Sequence, residues 1–251
     1  MRLVLFLFLF VFFQFSMAQR IDSLPELFSF ERKDTIEYIN LKYDTCYFTN
    51  RNIKGIDVSV WQGNINWKHI NNQKDYSFIF IRASYGLKKD IYFDINWENC
   101  SLKKGTYHFF DPLISGITQG KFILKNIDFK TSDLPIVIDV EKIRKWKRCN
   151  RKKAVLYLIQ LLNYIEDKTG VRPIIYTNPN FWNRYIHLYF KGLECKYKLW
   201  VAHYFVNEPN LPLGWSDWTF WQYSHKGKVH DDGYWDLNIY NGEDLNKILV
   251  R

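Results

Sequence analysis

The chain has 251 residues, of which 47% are hydrophobic and 19% are aromatic. This length and composition permit a substantial core in one large domain or two small ones, and they exclude a chain that is disordered throughout. The formal net charge of +9 favours polyanionic surroundings, which leaves nucleic acid and anionic cell-wall polymers open as partners.

Residues 1–18 have the pattern of a secretory signal peptide. Arg2 precedes an apolar run at residues 3–13, and the small residues Ser16 and Ala18 fit a signal-peptidase cleavage site. The alternative is an uncleaved signal anchor, but the run is short for a membrane span and no stop-transfer pattern follows it. We therefore expect an exported protein, periplasmic or extracellular, that keeps no membrane span after cleavage.

The remainder divides into an extension and a folded domain. Residues 19–50 are polar and show no clear periodicity, so they predict an N-terminal extension or linker, and residues 51–251 carry the periodic segments. An even number of cysteines in an exported chain permits two disulfides with three alternative pairings, and buried free thiols are the other alternative. Because the cysteines form no Cys-x-x-Cys pair and no histidine cluster accompanies them, we expect neither a metal nor a cofactor. The cysteines are Cys46, Cys100, Cys149 and Cys195.

From residue 53 onward, predicted strands and helices alternate. The strands are predicted at Ile53–Val58, Tyr76–Ala83, Thr106–Phe110, Pro135–Asp139 and Pro173–Thr177. The helices between and after them are predicted at Trp67–Gln73, Asp94–Lys103, Ser115–Ile127, Arg151–Asp167 and Asn180–Leu188. Three further strands are predicted at Leu199–Ala202, Thr219–Tyr223 and Tyr234–Ile239, with no full helix between them. Five β/α units followed by three bare strands indicate a parallel barrel whose last third is reduced.

Two acids end the predicted strand at residues 135–139. Asp139 and Glu141 are two positions apart, so in an extended chain their side chains point the same way, with Cα atoms roughly 6.6 Å apart. Two like charges at that separation cannot both ionise easily, so the pKa of one of them rises and it can donate a proton near neutral pH. Because Asp-x-Glu is a common pattern, an ordinary solvated strand end is the alternative interpretation.

Other acids are predicted to meet this pair. The active site of a parallel barrel lies at the C-terminal ends of its strands, and Asp57 and Asp236 belong to the first and last predicted strands. Aromatic, histidine and amide side chains occur at the ends of the intervening strands: Tyr107, His108, Tyr176, Trp200 and Gln222. Carboxylates surrounded by aromatic rings suit a sugar polymer, because the flat apolar faces of sugars stack on the rings and the hydroxyls take hydrogen bonds.

Several segments, in this order along the chain, resemble the muramidases of glycoside hydrolase family 25, the Chalaropsis-type lysozymes. They are Gly55–Ser59 with Trp61–Gly63, Phe78–Ser84, Gly105–Phe109, Pro135–Glu141, Pro173–Thr177, Leu199–Ala202, Phe220–Tyr223 and Trp235–Asn238. The resemblance implies a flattened, irregular TIM-like α/β barrel of the (β/α)5(β)3 type. It also implies hydrolysis of the β-1,4 bond between N-acetylmuramic acid and N-acetylglucosamine in peptidoglycan.

The resemblance further implies a role for each acid. Glu141 resembles the general acid, Asp139 its partner that orients or stabilises the reacting sugar, and Asp57 and Asp236 the supporting acids. Whether the reaction passes through a covalent intermediate or uses the 2-acetamido group of the substrate is left open. The residues expected to contact the substrate are Tyr107, Tyr176, Trp200, Gln222, Tyr85 and His108.

One departure from the family pattern concerns Tyr85. Family members often carry Thr-Glu-Gly where this chain has Ser84-Tyr85-Gly86, so a substrate contact is expected to differ. The basic stretch at residues 142–153 is interpreted as a solvated loop and helix face.

Two other functional classes remain as alternatives. A catalytically silent glycan-binding protein on the same barrel would not need all the acids, and a nucleic-acid binder has no motif here beyond charge. We expect a monomer that binds peptidoglycan strands and no nucleic acid, whether the target is the cell's own wall or a foreign one.

Overall fold

A computed structural model of the protein describes residues 53–131, 133–229 and 233–251. The signal-like segment, the 19–50 extension and Cys46 lie outside these described residues. No helix within them is long and apolar enough to cross a membrane.

Eight strands form a closed barrel, and a ninth short strand extends one of them. The strands are β1 (Ile53–Val58), β2 (Phe78–Tyr85), β3 (Lys88–Lys89), β4 (Lys103–Phe109), β5 (Val137–Asp139), β6 (Ile174–Thr177), β7 (Leu199–Ala202), β8 (Phe220–Gly227) and β9 (Trp235–Tyr240). The sheet closes because β1 pairs with both β2 and β9, while β3 pairs only with β2. The barrel strands β1, β2 and β4 to β8 are parallel to their neighbours, whereas β9 is antiparallel to β8 and to β1. The short β3 is also antiparallel to β2. The α/β barrel expected from the sequence is confirmed, and the prediction of a parallel barrel is wrong for its last strand.

The helices accompany the first strands of the barrel. They are α1 (Trp67–Asn72), α2 (Phe93–Asn99), α3 (Gly116–Asn126), α4 (Ile143–Trp146), α5 (Arg151–Thr169), α6 (Pro179–Tyr185) and α7 (His187–Phe190). Residues 203–219, which connect β7 to β8, contain no α-helix. The reduced last third predicted from the sequence is therefore present in the structure.

The longest helix shows how local sequence sets these elements. At the start of α5, the side chain of Asn150 accepts a hydrogen bond from the backbone N–H of Lys153, which satisfies a donor that the first turn leaves unpaired. The helix buries an apolar stripe that includes Leu158, Leu162 and Ile165. It ends at Gly170, whose left-handed backbone (φ 71°) costs glycine nothing.

Some predicted boundaries differ from the structure. Helix α2 ends at Asn99, and the predicted helical residues up to Lys103 are not helical, because Lys103 pairs with Phe78 as the first residue of β4. The predicted strand at 135–139 is a strand only from Val137. The basic stretch contains a one-turn helix, α4, that the sequence pattern did not predict.

Aromatic side chains fill the interior of the barrel. Phe80 stacks on Trp200 with ring centroids 4.5 Å apart, and Phe220 contacts both Phe78 and Phe80. A methyl group at Gly55 would lie 2.4 Å from the Phe78 ring, so the glycine is required for this packing. These packed aromatic rings form a floor beneath the ends of the parallel strands.

The cysteines within the described chain are free thiols. They are Cys100, Cys149 and Cys195. Because two disulfides would need all four cysteines, these free thiols exclude the two-disulfide arrangement and favour the alternative of unpaired thiols.

Candidate active site

A cavity of about 340 Å³ opens above the aromatic floor, at the end of the barrel where the parallel strands finish. Most of the side chains predicted as site residues meet in it. The predicted residues that line the cavity are Asp57, Asp139, Glu141, Asp236, Tyr107, Tyr176, Trp200 and Gln222. Carboxylates that are far apart in sequence therefore face one sugar-sized space.

Asp57 is held at the bottom of this cavity by two amide groups. Its Oδ2 accepts hydrogen bonds from Nε2 of Gln222 and Nδ2 of Asn238, each at 2.8 Å. Burial raises the pKa of Asp57 to about 6, and the two hydrogen bonds oppose that rise because they favour the charged form. Asp57 is therefore a buried carboxylate with neutral donors, and within the described ranges no cation forms an ion pair with it.

The amides that hold Asp57 are themselves fixed by aromatic side chains of the cavity. Oε1 of Gln222 accepts hydrogen bonds from the hydroxyls of Tyr176 (2.7 Å) and Tyr204 (2.5 Å). Oδ1 of Asn238 accepts a hydrogen bond from Nε1 of Trp200 at 2.9 Å. These contacts orient both amides so that their NH₂ groups point at Asp57, which preorganises the cavity for a charged group.

Asp139 and Glu141 lie side by side on the cavity wall. Asp139 is the last residue of β5 and is 4% exposed, whereas Glu141 lies beyond the strand and is half-buried. The pKa of Asp139 is raised well above its ordinary value by burial and then by the charges of Glu141 and Asp57. The pKa of Glu141 is also raised, by burial and by Asp57, while the ammonium of Lys142 opposes the rise. This pair fits the sequence expectation that two adjacent acids share one site.

One oxygen of Asp139 has no hydrogen-bond partner among the described residues. Its Oδ1 is buried without an acceptor contact to any donor. An unpaired buried oxygen costs folding free energy, so the cavity wall contains a carboxylate whose hydrogen-bonding capacity is not satisfied within the described part of the chain.

Asp236 reaches the cavity in a different way from the other acids. It is the second residue of β9, and its Cα pairs with that of Asp57 across the antiparallel β1–β9 ladder. Burial raises the pKa of Asp236 to about 8, with further contributions from the charges of Asp57 and Glu141. The prediction that Asp236 joins the cluster agrees with its position, but it does so near the start of a reversed strand.

His108 is not brought to the cavity. It is fully buried, its Nε2 donates to Oε1 of Gln119 at 3.0 Å, and its Nδ1 accepts from the hydroxyl of Ser84 at 2.9 Å. These roles follow because Nε2 of Gln119 donates to two backbone carbonyls, so its Oε1 is the acceptor. Burial lowers the pKa of His108 to about 4. The expectation that His108 contacts substrate is therefore corrected: the side chain packs behind the cavity wall.

Tyr85 lies beside the cavity in an adjoining groove of about 580 Å³. The groove and the cavity share four side chains, so they form one continuous depression. These shared residues are Trp61, Arg82, Phe109 and Glu141.

The structure adds side chains that sequence reasoning did not assign to the site. Trp61, at the rim, is 84% exposed and belongs to a short 3-10 turn held by a hydrogen bond from the N–H of Ser59 to Oε1 of Gln62, at 2.8 Å. Trp61 and Gln62 belong to the segment Trp61–Gly63, which resembles family 25, so the sequence could have indicated their place at the site. Others come from loops and from the irregular β8: Tyr204, His225 and Tyr234.

The described residues contain no candidate metal centre. No group of three or more His, Cys, Asp or Glu side chains there could hold a metal ion. The chemistry at hand in this part of the chain is that of carboxylates, amides and aromatic rings.

A closed α/β barrel that gathers carboxylates among aromatic rings at its strand ends has the features of a glycoside hydrolase. Residues 56–232 match glycosyl hydrolases family 25. The chain belongs to that family. The match ends before Asp236, whose place in the cavity is given by the structure.

Individual relatives agree with this assignment. The chain is 37% identical over 199 residues to the protein YegX of Escherichia coli K12. The aligned region covers 76% of this chain and 70% of YegX. It is 34% identical over 206 residues to Lysozyme M1 of Streptomyces globisporus, covering 76% of this chain and 68% of the relative. The crystal structure of a lysozyme from Streptomyces coelicolor superimposes with a TM-score of 0.72 and 31% identity, covering 82% of this chain and 96% of that one.

Proposed function

We propose that the protein is an exported muramidase that cleaves the β-1,4 bond between N-acetylmuramic acid and N-acetylglucosamine in peptidoglycan. Membership of family 25 supports the reaction class, and the relatives include Lysozyme M1 and an N,O-diacetylmuramidase of Arthroderma benhamiae. The observation that carries the proposal is the convergence of four acids with raised pKa values in one aromatic-walled cavity. The signal-like pattern of residues 1–18 supports export.

Glu141 is the proposed general acid. It is half-buried at the junction of cavity and groove, where a glycosidic oxygen can reach it, and its raised pKa keeps it protonated at a pH where an ordinary glutamate is charged. Glu141 gives its proton to the glycosidic oxygen as the bond from that oxygen to C1 breaks. Water later adds its hydroxyl to C1, and the remaining proton returns to Glu141, so that one water is consumed for each bond cut.

Asp139 is the proposed partner at the reacting sugar. Its carboxylate, which lines the cavity, can accept a hydrogen bond from the 2-acetamido N–H or face the positive charge that develops at C1. Both assignments use the same buried carboxylate, and both the covalent and the substrate-assisted route place it on the same face of the sugar.

Asp57 and Asp236 are the proposed supporting acids. The charge of Asp57 raises the pKa of Asp139, Glu141 and Asp236, and Asp236 lines the same cavity. Tyr107, Tyr176 and Trp200 provide the aromatic wall against which the sugar rings pack.

The direct test is mass analysis of the products that the mature protein releases from defined peptidoglycan. A muramidase gives fragments with N-acetylmuramic acid at the new reducing end. Fragments ending in N-acetylglucosamine would contradict the assigned bond. Binding to cell walls with no released fragment would identify a silent glycan-binding protein instead.

A further inference from the structure

The groove beside the acid cavity is lined by a different kind of side chain from the cavity itself. Its own members, beyond those shared with the cavity, are Tyr85, Lys142, Asn178 and Phe181. The groove therefore combines aromatic walls with a cation and an amide, and it joins the cavity at Glu141. A substituent on a sugar bound in the cavity would enter this groove.

Lys142 gives the groove a positive charge. Its Nζ lies 4.8 Å from the centre of the Tyr85 ring and 5.5 Å from that of Phe109, so the two rings position the ammonium. Lys142 is exposed, and no carboxylate in the described chain forms an ion pair with it. Its backbone has a φ of 69°, a conformation that is uncommon for a residue with a side chain and that is concentrated at functional sites.

Lys145 lies next to the same tyrosine ring as Lys142, but it forms an ion pair with a carboxylate of the protein. Nζ of Lys145 lies 4.7 Å from the centre of the Tyr85 ring. The ammonium of Lys145 forms an ion pair with the carboxylate of Asp111. The charge of Lys145 is therefore neutralised inside the protein. Lys142 remains available to an anion from outside.

The residue at position 85 explains why this cation is available. Both Lys142 and Lys145 lie over the Tyr85 ring, so a carboxylate at this position would lie against both lysines. A tyrosine offers them a ring face and no charge. Further cations lie along the basic stretch, and the guanidinium of Arg151 is 4.7 Å from the Tyr185 ring centre, on the helix that contains Phe181. The rim is positive next to the acid cluster.

We propose that this groove binds carboxylates of the peptide that branches from the muramic acid residue, so that the enzyme prefers peptide-bearing glycan strands. The inference rests on the proposed muramidase function, because that substrate carries its peptide next to the cleaved bond. An unsubstituted muramic acid offers a carboxylate of the same chemistry on its lactyl group. The longer peptide reaches further along the groove toward Lys142, which is why the peptide is the source favoured here.

The first test measures binding without turnover. A Glu141→Gln protein, with and without Lys142→Gln, is titrated with a muramyl disaccharide carrying its peptide, the same fragment with its carboxylates amidated, and the disaccharide with only the lactyl carboxylate. We expect Lys142→Gln to weaken binding of the first ligand about fivefold and to leave the second unchanged. If Lys142→Gln weakened binding of the third ligand equally, the carboxylate bound by Lys142 would be that of the lactyl group. That outcome would contradict the assignment to the peptide.

The second test measures kinetics on peptide-bearing glycan strands. Lys142→Gln should raise KM about fivefold with little change in kcat at neutral pH, and Lys142→Arg should restore KM because it keeps the charge. Lys168→Gln is the matched control, since Lys168 is an exposed lysine at the end of α5, on the side of the barrel away from the strand ends. If Lys168→Gln raised KM as much as Lys142→Gln, the effect would come from the net charge of the protein. That outcome would contradict the proposal that the groove binds the peptide.

Tyr85→Glu tests the same proposal by adding a carboxylate next to Lys142 and keeping the lysine. A carboxylate beneath Lys142 should compete with the ligand, so Tyr85→Glu should raise KM on peptide-bearing strands more than Tyr85→Phe, which keeps the ring face. Unchanged affinity in Tyr85→Glu would contradict the proposal. Failure of the muramidase proposal is distinguishable, because the binding titration does not require any bond to be cut.

Discussion

The buried acids of this protein fall into two groups that differ in their partners. Asp90, outside the cavity, accepts hydrogen bonds from the Arg82 guanidinium and from the backbone N–H groups of Val60 and Tyr92. Asp139, inside the cavity, has an oxygen with no donor among the described residues, and its pKa is raised by burial and then by neighbouring acids.

Glu194 repeats the first pattern elsewhere. Its carboxylate contacts Nδ1 of His187 at 2.9 Å and accepts the N–H of Gly192 at 2.8 Å. Carboxylates with a full set of donors hold loops in place, whereas carboxylates grouped without cations cost folding free energy and gain protons. The comparison predicts that mutations in the two groups have opposite effects on stability and activity.

The largest expected effect is on turnover, from Glu141→Gln. The amide keeps the shape but cannot donate the proton, so kcat on peptidoglycan should fall by about 10³-fold. The melting temperature should stay the same or rise, because an acid in a repulsive cluster is removed. Reducing-end release and differential scanning calorimetry on the same preparation check both points. Retained turnover would remove Glu141 from the role of general acid.

Asp90→Ala should have its main effect on the fold. The change leaves the Arg82 guanidinium, whose side chain is 15% exposed, without its carboxylate and frees two backbone donors, at a cost of about 3 kcal/mol. Urea unfolding at neutral pH measures this. The control is Asp94→Ala, which breaks the exposed Lys89–Asp94 pair and should cost less than about 0.5 kcal/mol. Equal losses in the two variants would contradict the distinction.

Asp236→Asn should stabilise the protein at higher pH. The pKa of Asp236 is raised from 3.8 to about 8, so between these values the folded state holds a proton that the unfolded state has released. The free energy of unfolding therefore falls as pH rises through this window. Asparagine does not titrate, so the variant should gain about 1 kcal/mol over the parent at pH 8 and little at pH 4. Melting curves at both pH values test this, with the exposed Asp75→Asn as control.

The smallest expected effect is a shift of the pH profile. Lys142 lowers the pKa of Glu141 and of Asp139, so Lys142→Gln should let Glu141 keep its proton to higher pH. The alkaline limb of kcat should then move to higher pH, and Lys142→Arg should leave it in place. A shift to lower pH in Lys142→Gln would show that the charge of Lys142 does not act on the proton donor.

Much of the barrel follows from its periodicity. The bounds predicted for β1 and β7 are those of the structure, because both segments are too short for a typical helix and their length favours a strand. The direction of β9 could not be read in this way, since the pattern of a strand is the same in both directions. Asp236 nevertheless joins the site, because reversing the strand brings its start to the rim where the parallel strands end.

The position of His108 shows a limit that simple geometry could have set. Tyr107 and His108 are consecutive in β4, and successive side chains of a strand point to opposite faces. Only one of them can face the barrel interior, and the structure places Tyr107 there. The loop residue Tyr204 had no pattern that would reveal it, because its position depends on a chain path outside the regular elements.

The hydrogen bond between Asp57 and Asn238 joins residues 181 positions apart. As the ribosome makes the chain, β1 emerges early but lacks one neighbour until β9 appears near the end. The nascent polypeptide therefore cannot complete its barrel, or hold Asp57 by both amides, before almost all of it has been translated. A prematurely terminated product lacking the last twenty or so residues should be both catalytically dead and prone to aggregate through the open edge of β1.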